Sequence, residues 1–228
     1  MISGIYELID GCLVQQLRFE TISNNLANLN TNGFRKDAIS FNQALSMNYY
    51  SETDFTPGPV RHTGNELDVA LEGKGFFKIQ TPKGIRYTRD GAFSINAEGV
   101  LVTHTGDAVL GQNGPITING GKVTIQTDGQ VLANGQPVDQ LRIVDFEKPQ
   151  LLAKEGGSYY AHQGKESEIV TAEEANIKQS YIEGSNVNPT EEMIKMLEAF
   201  RSFESAQKAI QSIDEMTSRM VNDQGLLQ

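Results

Sequence analysis

The fold of this chain is decided by the stretch Ser23-Asn24-Asn25-Leu26-Ala27-Asn28-Leu29-Asn30-Thr31-Asn32-Gly33-Phe34-Arg35. It follows an N-terminal segment in which apolar residues repeat with heptad spacing, and a second segment of this kind ends the chain. The middle is instead rich in glycine and in short apolar runs, which are typical of turns and strands. A chain with matching apolar helices at both ends and a β-rich middle is interpreted as one that assembles.

Composition excludes several classes of partner. The 228 residues are enough for one large or two small domains, and 19 Lys and Arg stand against 29 Asp and Glu. Nucleic acids and anionic lipids are bound by basic surfaces, so a net charge of −10 argues against both. The single cysteine, Cys12, excludes an intramolecular disulfide. No membrane span or secretory signal is recognisable, so only an export route without a cleaved signal would take the protein out of the cytoplasm.

An amphipathic helix is predicted over residues 3 to 29. Its apolar seam consists of two series with heptad spacing, which are Ile5, Cys12, Phe19 and Leu26, and Leu8, Gln15, Ile22 and Leu29. Ser3 is placed to cap its start and Gly33 to follow its end. Because most helical stability comes from packing an apolar face, this helix needs a partner.

A second long helix is predicted over residues 186 to 222. Asn188-Pro189-Thr190-Glu191 combines a capping residue, a proline at the first helical position and a capping-box glutamate. Its seam comprises Met196, Phe203, Ile210 and Thr217, together with Ala199, Ala206, Ile213 and Met220. Leu197 and Phe200 form a further apolar stripe, which predicts partners on more than one side.

The middle of the chain is predicted to form short strands and hairpins. Of 22 glycines, 17 lie between residues 58 and 164, and Asn-Gly or Asp-Gly turn signals recur there. The predicted fold class is therefore α+β, with long N- and C-terminal helices packing as an α-helical coiled-coil domain around a central, mostly antiparallel β-domain. The predicted domains are a discontinuous terminal-helix domain, a connector and a β-rich domain, at residues 1–35 with 186–228, 36–62 and 63–183.

No catalytic, cofactor or metal site is predicted. The three histidines, His62, His104 and His162, are scattered and lack the spacing of metal ligands. Gly73-Lys74-Gly75 leads into a strand, and without a helix N-terminus it is interpreted as a tight turn. Five acidic residues could supply a carboxylate pair, although turn chemistry explains each of them: Asp68, Glu72, Asp90, Glu98 and Asp107. The chain is predicted not to be an enzyme.

Four blocks, in order along the whole chain, resemble the signatures of bacterial flagellar rod and hook proteins. The first is Asn24-Asn25-Leu26-Ala27-Asn28 with Thr31 and Gly33-Phe34-Arg35. The others are Thr63-Gly64-Asn65-Glu66-Leu67-Asp68-Val69-Ala70-Leu71-Glu72-Gly73-Lys74-Gly75-Phe76-Phe77, then Tyr87-Thr88-Arg89-Asp90-Gly91-Ala92-Phe93, and last Gly184-Ser185-Asn186-Val187-Asn188-Pro189. A hook subunit would be much longer, and a distal-rod subunit would carry a longer insertion where this chain has residues 36 to 63. The resemblance is therefore greatest to a proximal-rod subunit.

The resemblance implies a structural subunit of the flagellar basal-body rod, the drive shaft that carries motor torque to the hook. Its implied partners are further copies of itself, neighbouring proximal-rod and distal-rod subunits, and the flagellar type III export apparatus, with no nucleic acid and no membrane insertion. Export would need no cleaved signal, the terminal helices would form an inner tube, and the β-domain would lie outside it. Removing a large inner side chain would cost about 2–5 kcal/mol in every subunit.

Two sets of residues are expected to carry this function. The expected inner packing residues are Ile5, Leu8, Cys12, Phe19, Ile22, Leu26, Leu29, Met196, Phe203, Ile210, Ile213 and Met220. The motif residues implied by the resemblance are Asn24, Asn25, Leu26, Ala27, Asn28, Thr31, Gly33, Phe34, Asn186 and Asn188. Three alternatives stay open, which are a distal-rod subunit, a secreted oligomeric β-rich binding module, and an enzyme with an acidic site. The helices could also pair within one monomer.

Overall fold

A computed structural model describes residues 2–41, 49–156, 158–165, 168–172 and 175–225. The chain divides into two compact units. The helical unit comprises Met1–Ala27, Asp37–Glu52 and Asn188–Gln228. The β-rich unit comprises Asn28–Lys36 and Thr53–Val187. The motif of residues 23–35 is thus divided between the two units after Ala27. The domain boundaries predicted from the sequence stay predictions.

Within the described residues, α-helices occur only near the two ends, as α1 (Ile2–Ala27) and α2 (Pro189–Gly225). The strands follow in chain order: β1 (Asp37–Phe41), β2 (Tyr49–Thr53), β3 (Val60–His62), β4 (Val69–Glu72), β5 (Phe76–Thr81), β6 (Gly84–Thr88), β7 (Phe93–Ile95), β8 (Leu101–Thr103), β9 (Ala108–Val109), β10 (Val123–Ile125), β11 (Gln130–Ala133), β12 (Gln136–Gln140), β13 (Ile143–Phe146), β14 (Leu152–Glu155), β15 (Tyr159–His162), β16 (Ile169–Thr171), β17 (Asn176–Gln179) and β18 (Tyr181–Glu183). A short 3-10 turn at Pro149–Leu151 precedes β14.

The helical unit consists of α1 packed on α2, with β1 against α1 and paired to β2. Helix α2 has a well-formed start, because the Asn188 Oδ1 accepts hydrogen bonds from the backbone N–H of Thr190 at 3.1 Å and of Glu191 at 3.4 Å. Pro189 occupies the first helical position, where no N–H is needed. Glu191 and Glu192 lie in the first turn, where the helix dipole favours negative charge.

Replacing Asn188 with alanine is expected to lower the free energy of unfolding of the helical unit by about 1 kcal/mol, because two backbone donors lose their acceptor. Urea denaturation followed by circular dichroism measures the change. Asn188→Asp keeps a side-chain oxygen in the same place and is the control, with near wild-type stability expected. Equal stability of the alanine and aspartate variants would contradict a capping role.

The β-rich unit is built around one large sheet. Its strands follow the order β14-β15-β6-β5-β9-β8-β7, and β13 pairs with both β5 and β16. Three smaller ladders complete the unit, namely β10-β11-β12, β17-β4 and β18-β3. The described strand pairs of this unit are antiparallel, as expected where short turns join consecutive strands.

Strand β5 is buried on both faces and organises two cores. Phe77 and Ile79 are fully buried in the main cluster of aliphatic side chains. Phe76 lies in a second, aromatic cluster, where its ring contacts those of Phe146 and Tyr160 at centroid distances of 5.6 and 5.5 Å. Because side chains alternate across a strand, this one segment joins the two clusters.

The predicted fold class is wrong. The described part of the chain has a helix only at each end, its bulk is an antiparallel, sheet-rich central region, and the helices form no coiled-coil domain. Among the α1 side chains that the structure describes, from Asp10 to Ala27, the buried ones are Val14, Ile22 and Asn25, whose spacings of eight and three residues fit the 3.6-residue period of a straight helix. Phe19 of the predicted seam is 43% exposed. Within the single chain, the heptad seam of α1 therefore does not coincide with the buried face of the helix.

Candidate functional site

Helix α2 exposes a stripe of large apolar side chains. Met193, Leu197 and Phe200 recur at positions i, i+4 and i+7, and each is close to 60% exposed. This spacing places them on one side of the helix. Ile194 and Met216 of the same helix are also more than half exposed. Such a contiguous apolar face on a surface typically marks an interaction site.

Helix α1 contributes a second apolar surface to the helical unit. Leu13 and Leu17 are exposed one turn apart, and Phe19 lies on the opposite side. A groove of about 240 Å³ runs beside Phe19, and its lining is largely apolar: Gln15, Gln16, Phe19, Ala199, Phe200 and Phe203. The groove brings together two of the predicted packing residues, Phe19 and Phe203.

The remaining predicted packing residues are distributed over several environments. Ile22 is buried, whereas five others are half-buried: Cys12, Leu26, Met196, Ile210 and Ile213. Leu29 is also half-buried but belongs to the β-rich unit. The side chains of Ile5, Leu8 and Met220 lie outside the described residues, although their backbones are helical. The role of the whole predicted set in packing between subunits stays a prediction.

Asn25 joins three elements of the helical unit. It is 1% exposed, its Oδ1 accepts the Asp37 N–H at 3.0 Å, and its Nδ2 donates to the Asp37 carbonyl at 2.9 Å. The same Nδ2 donates to Glu192 Oε2 at 3.0 Å, and Glu192 also pairs with Lys195. The motif residue therefore fixes the start of β1 and the first turn of α2 against α1. Glu192 was not among the predicted site residues, since acidic residues are common in the first turn of a helix and carry no specific signal for this contact.

The second half of the motif forms a turn in the β-rich unit. Asn28 Oδ1 accepts a hydrogen bond from the Thr31 hydroxyl, and the Gly33 N–H donates to the Glu183 carbonyl at 2.8 Å. Gly33 has a φ of 64°, and a Cβ there would lie 2.5 Å from backbone atoms of Arg89 and Asp90. Only glycine satisfies both constraints. Asn24 and Ala27 are exposed on α1 and take no part in this turn.

Asn186 connects the motif turn to a second segment of the chain. Its Oδ1 accepts the Lys36 N–H at 2.7 Å, and its Nδ2 donates to the carbonyls of Asp54 and Thr56. Lys154 supports the same turn, because its Nζ donates to the Arg35 carbonyl at 2.6 Å and lies 3.8 Å from the Phe34 ring centroid. These contacts use every hydrogen-bonding atom of the Asn186 amide, which alanine or serine could not reproduce.

A buried ionic cluster lies beneath the turn. Arg35 Nη2 is 2.6 Å from Glu183 Oε1, and Arg89 Nε is 3.1 Å from Glu183 Oε2, with all three side chains at most 3% exposed. Arg89 also donates to the carbonyls of Gly75 and Gly73. Burial lowers the pKa of Arg89 to about 10, with the charge of Arg35 acting in the same direction and that of Glu183 opposing it.

Arg89 belongs to one of the signature blocks, but nothing in the sequence indicates that it meets Glu183. Glu183 immediately precedes another block, which begins at Gly184. Lys154 belongs to no block, and its sequence context carries no signal for this role. The blocks thus contain much of the cluster, but their order along the chain does not indicate which members touch.

Asp90 lies beside the motif turn and is held by several polar groups. It accepts a hydrogen bond from the Ala92 N–H at 3.0 Å and another from the Asn32 side chain, and His104 Nδ1 lies 3.5 Å from Oδ2. Burial raises the pKa of Asp90, and nearby Asp68 adds to the rise, although the hydrogen bonds and His104 oppose it. The folded state therefore binds a proton at Asp90 more strongly than the unfolded chain does.

We expect wild-type stability to fall relative to Asp90→Asn as pH rises above 3.8, the ordinary pKa of an aspartate. A raised folded-state pKa contributes stability that is fully present below the unfolded-state pKa and is lost as pH rises through the folded-state pKa. Denaturation of both proteins across this range measures the difference in unfolding free energy. The same pair in a His104→Ala background separates the imidazole contribution. A difference that stays constant or changes in the opposite direction would refute this assignment.

The described residues contain no group of three or more His, Cys, Asp or Glu side chains that could hold a metal ion. Asp68, one of the five acidic residues that could supply a carboxylate pair, accepts a hydrogen bond from the Asn65 Nδ2 at 3.0 Å. No helix in the described part of the chain is long and apolar enough to cross a membrane. The features that remain are the exposed helix faces and the motif turn.

Three segments match known protein families. Residues 14–35 match the family described as flagella basal body rod protein, and residues 70–133 match the flagellar hook protein FlgE/F/G D1 domain. Residues 178–223 match the flagellar basal body rod FlgEFG protein C-terminal family. The matched segments contain the motif turn, much of the central sheet and most of α2.

Whole-chain relatives agree with these matches. Flagellar basal-body rod protein FlgF of Caulobacter vibrioides is 33% identical in an alignment of 244 positions that covers 99% of each chain. FlgF of Rhizobium meliloti is 31% identical over 90% of each chain, and FlgG of Bacillus subtilis is 30% identical over 97% of this chain and 99% of its own. The family resemblance inferred from the four sequence blocks is confirmed. This chain belongs to the flagellar basal-body rod protein family.

Proposed function

We propose that this chain is the proximal-rod subunit of the flagellum and that it assembles through the apolar faces of its helical unit. The chain is a structural component of the flagellar basal-body rod, where it assembles with other rod proteins, and its family is structural and not enzymatic. The predicted structural role and the predicted absence of enzymatic activity are confirmed by this family.

The observation that carries the assembly proposal is the exposed apolar surface of both helices. Leu13 on α1 and Met193, Leu197 and Phe200 on α2 are each more than half exposed in the single chain. Burying one such side chain contributes about 1.5–3 kcal/mol, so neighbouring subunits would gain much by covering them. The two helices present different surfaces, and contacts between unlike surfaces propagate into a helical array.

Chain length supports the proximal over the distal position. The resemblance implies a longer insertion after the Gly-Phe-Arg segment in distal-rod subunits, and this chain has only residues 36 to 63 there. The alignment with FlgG of Bacillus subtilis spans 261 positions, so that relative carries at least 33 residues that this 228-residue chain lacks. The alignment with FlgF of Caulobacter vibrioides spans 244 positions, so that relative carries at least 16 residues that this chain lacks.

The proposal extends to the arrangement of the assembled rod and to export. The inner tube would be lined by residues 1–35 and 186–228, and the outer layer would be formed by residues 63–183. Residues 36–62 would connect these two parts. Phe19, Phe203, Ile210 and Ile213 would then pack between subunits. The flagellar type III export apparatus would carry the chain out without cleavage of a signal. Both expectations follow from the family resemblance.

Gold labelling of basal bodies tests the proposal. A short epitope inserted after the exposed residue Asn113, in the turn with Gly114, leaves both chain ends unmodified. The tagged chain should replace the native copy in its own bacterium and restore swimming. Label at the motor end of purified rods is the expected result. Label at the hook end would overturn the proximal assignment, and basal bodies without label would overturn assembly into the rod.

A further inference from the structure

Three passages of the chain lie side by side in the β-rich unit, and together they are named the clasp. They are residues 33–36, 54–58 and 183–186. The first and third exchange backbone hydrogen bonds, from Gly33 N–H to the Glu183 carbonyl at 2.8 Å and from Asn186 N–H to the Phe34 carbonyl at 3.3 Å. The second joins the first through Asp54 N–H and the Lys36 carbonyl at 2.9 Å. At these passages the chain enters or leaves the β-rich unit.

One carboxylate touches all three passages. Glu183 belongs to the third, its Oε1 accepts from Arg35 of the first at 2.6 Å, and the same oxygen accepts from the Gly58 N–H of the second at 2.8 Å. Its Oε2 lies 3.1 Å from Arg89 Nε. Arg89 in turn donates to the carbonyls of Gly73 and Gly75, in the turn between β4 and β5. Glu183 thereby connects the clasp to the central sheet.

The charges make this carboxylate hard to replace. Glu183 has no exposed side-chain surface, and Arg35 Nε and Nη1 have no hydrogen-bond partner among the described residues. A buried ion pair adds little net stability, but removing one partner leaves a buried charge uncompensated and is strongly destabilising. Such a cluster is well suited to specifying one closed arrangement. Packing strength alone would be supplied equally well by apolar side chains.

We propose that Glu183 couples the three passages of the clasp, so that they open and close as one cooperative unit. With the carboxylate in place, opening any passage breaks a charge-assisted hydrogen bond in a dry environment. Without it, each passage keeps only its own backbone hydrogen bonds. In an assembled rod, load applied to the helical unit would then reach all three passages together. That consequence rests on the proposed assembly, whereas the coupling of the three passages through Glu183 is a property of the single chain.

Hydrogen exchange of the full-length monomer tests whether Glu183 couples the three passages. Glu183→Gln keeps the size of the side chain but removes the charge, and we expect amides in all three passages to exchange about tenfold faster or more. The reporting amides are Gly33, Lys36, Gly58 and Gly184, each hydrogen-bonded in the clasp or beside it. Amides of β5 should keep wild-type exchange rates. The control is Glu72→Gln, which removes the same charge from an exposed pair with Lys178 and should change none of these rates.

A second variant keeps the proposal testable if Glu183→Gln unfolds the whole chain. Arg35→Lys retains the positive charge but loses the planar guanidinium geometry, and it should accelerate exchange in the same three passages. The proposal is supported if both variants open all three passages while β5 stays protected. It is overturned if Glu183→Gln leaves the clasp unchanged or affects residues 183–186 alone. It is also overturned if β5 exchanges as fast as the clasp in both variants.

Discussion

Replacing Gly91 with alanine is expected to lower the free energy of unfolding of the β-rich unit by about 3 kcal/mol or more. A Cβ at this position would lie 1.7 Å from the Val69 carbonyl oxygen and 3.2 Å from Phe77 Cε2. Val69 is fully buried, and its N–H donates to the Gly91 carbonyl at 3.0 Å. The added Cβ would clash with the backbone of Val69 inside a packed core. Strand β4 would therefore have to move away and weaken the hydrogen bond from Val69 to Gly91.

Denaturant unfolding followed by circular dichroism measures this loss. Gly156→Ala is the matched control, because a Cβ there meets nothing within 4 Å and the position is exposed. Its unfolding free energy should stay within about 0.5 kcal/mol of wild type. If the two alanine variants were equally stable, the close approach of β4 to Gly91 would not exist in solution.

Replacing Leu197 or Phe200 with aspartate is expected to abolish incorporation of the chain into rods. Both side chains are close to 60% exposed, so the single chain should fold with nearly unchanged stability. In an assembled array the same positions would be covered by apolar neighbours, and a buried carboxylate without a partner costs several kcal/mol or more. Each subunit would carry this cost at every contact. The amount of chain in purified basal bodies, together with swimming, measures the effect.

Ser202→Asp is the control for these variants. It places the same charge on the same helix at another exposed position, away from the stripe formed by Met193, Leu197 and Phe200. Incorporation close to wild type is expected for this variant. If all three aspartate variants entered rods equally well, the exposed stripe would not be an assembly surface. A lower thermal stability of the monomer would instead identify a folding defect.

Local signals in the sequence predicted local structure well. The Asn188-Pro189 pair marks the start of α2, and the structure forms the cap with Asn188 Oδ1. The Asn134-Gly135 pair predicts a turn, and both residues have positive φ, at 51° and 77°. These features depend on a few neighbouring residues, because caps and tight turns are satisfied within one or two turns of chain. Short-range chemistry is therefore legible in a single sequence.

Periodicity was less informative about packing. Heptad spacing on α1 predicted a coiled coil, but Phe19 of that seam is exposed and Val14, outside it, is buried. Over a single helix the periods 3.5 and 3.6 diverge by only about 20° per heptad. A short apolar pattern therefore cannot identify which partner covers which face. That choice depends on the surface against which the helix packs.

The sequence by itself determined the family, the acidic character, the start of α2 and the turn chemistry of the central region. Only the tertiary structure decided that Arg35 meets Glu183, 148 positions away, and that Arg89 completes the cluster. It also divided the opening motif after Ala27, with Asn25 serving the helical unit and Gly33 the β-rich unit. The physical reason is that a buried ion pair is defined by burial and distance, and both arise only when remote segments pack together.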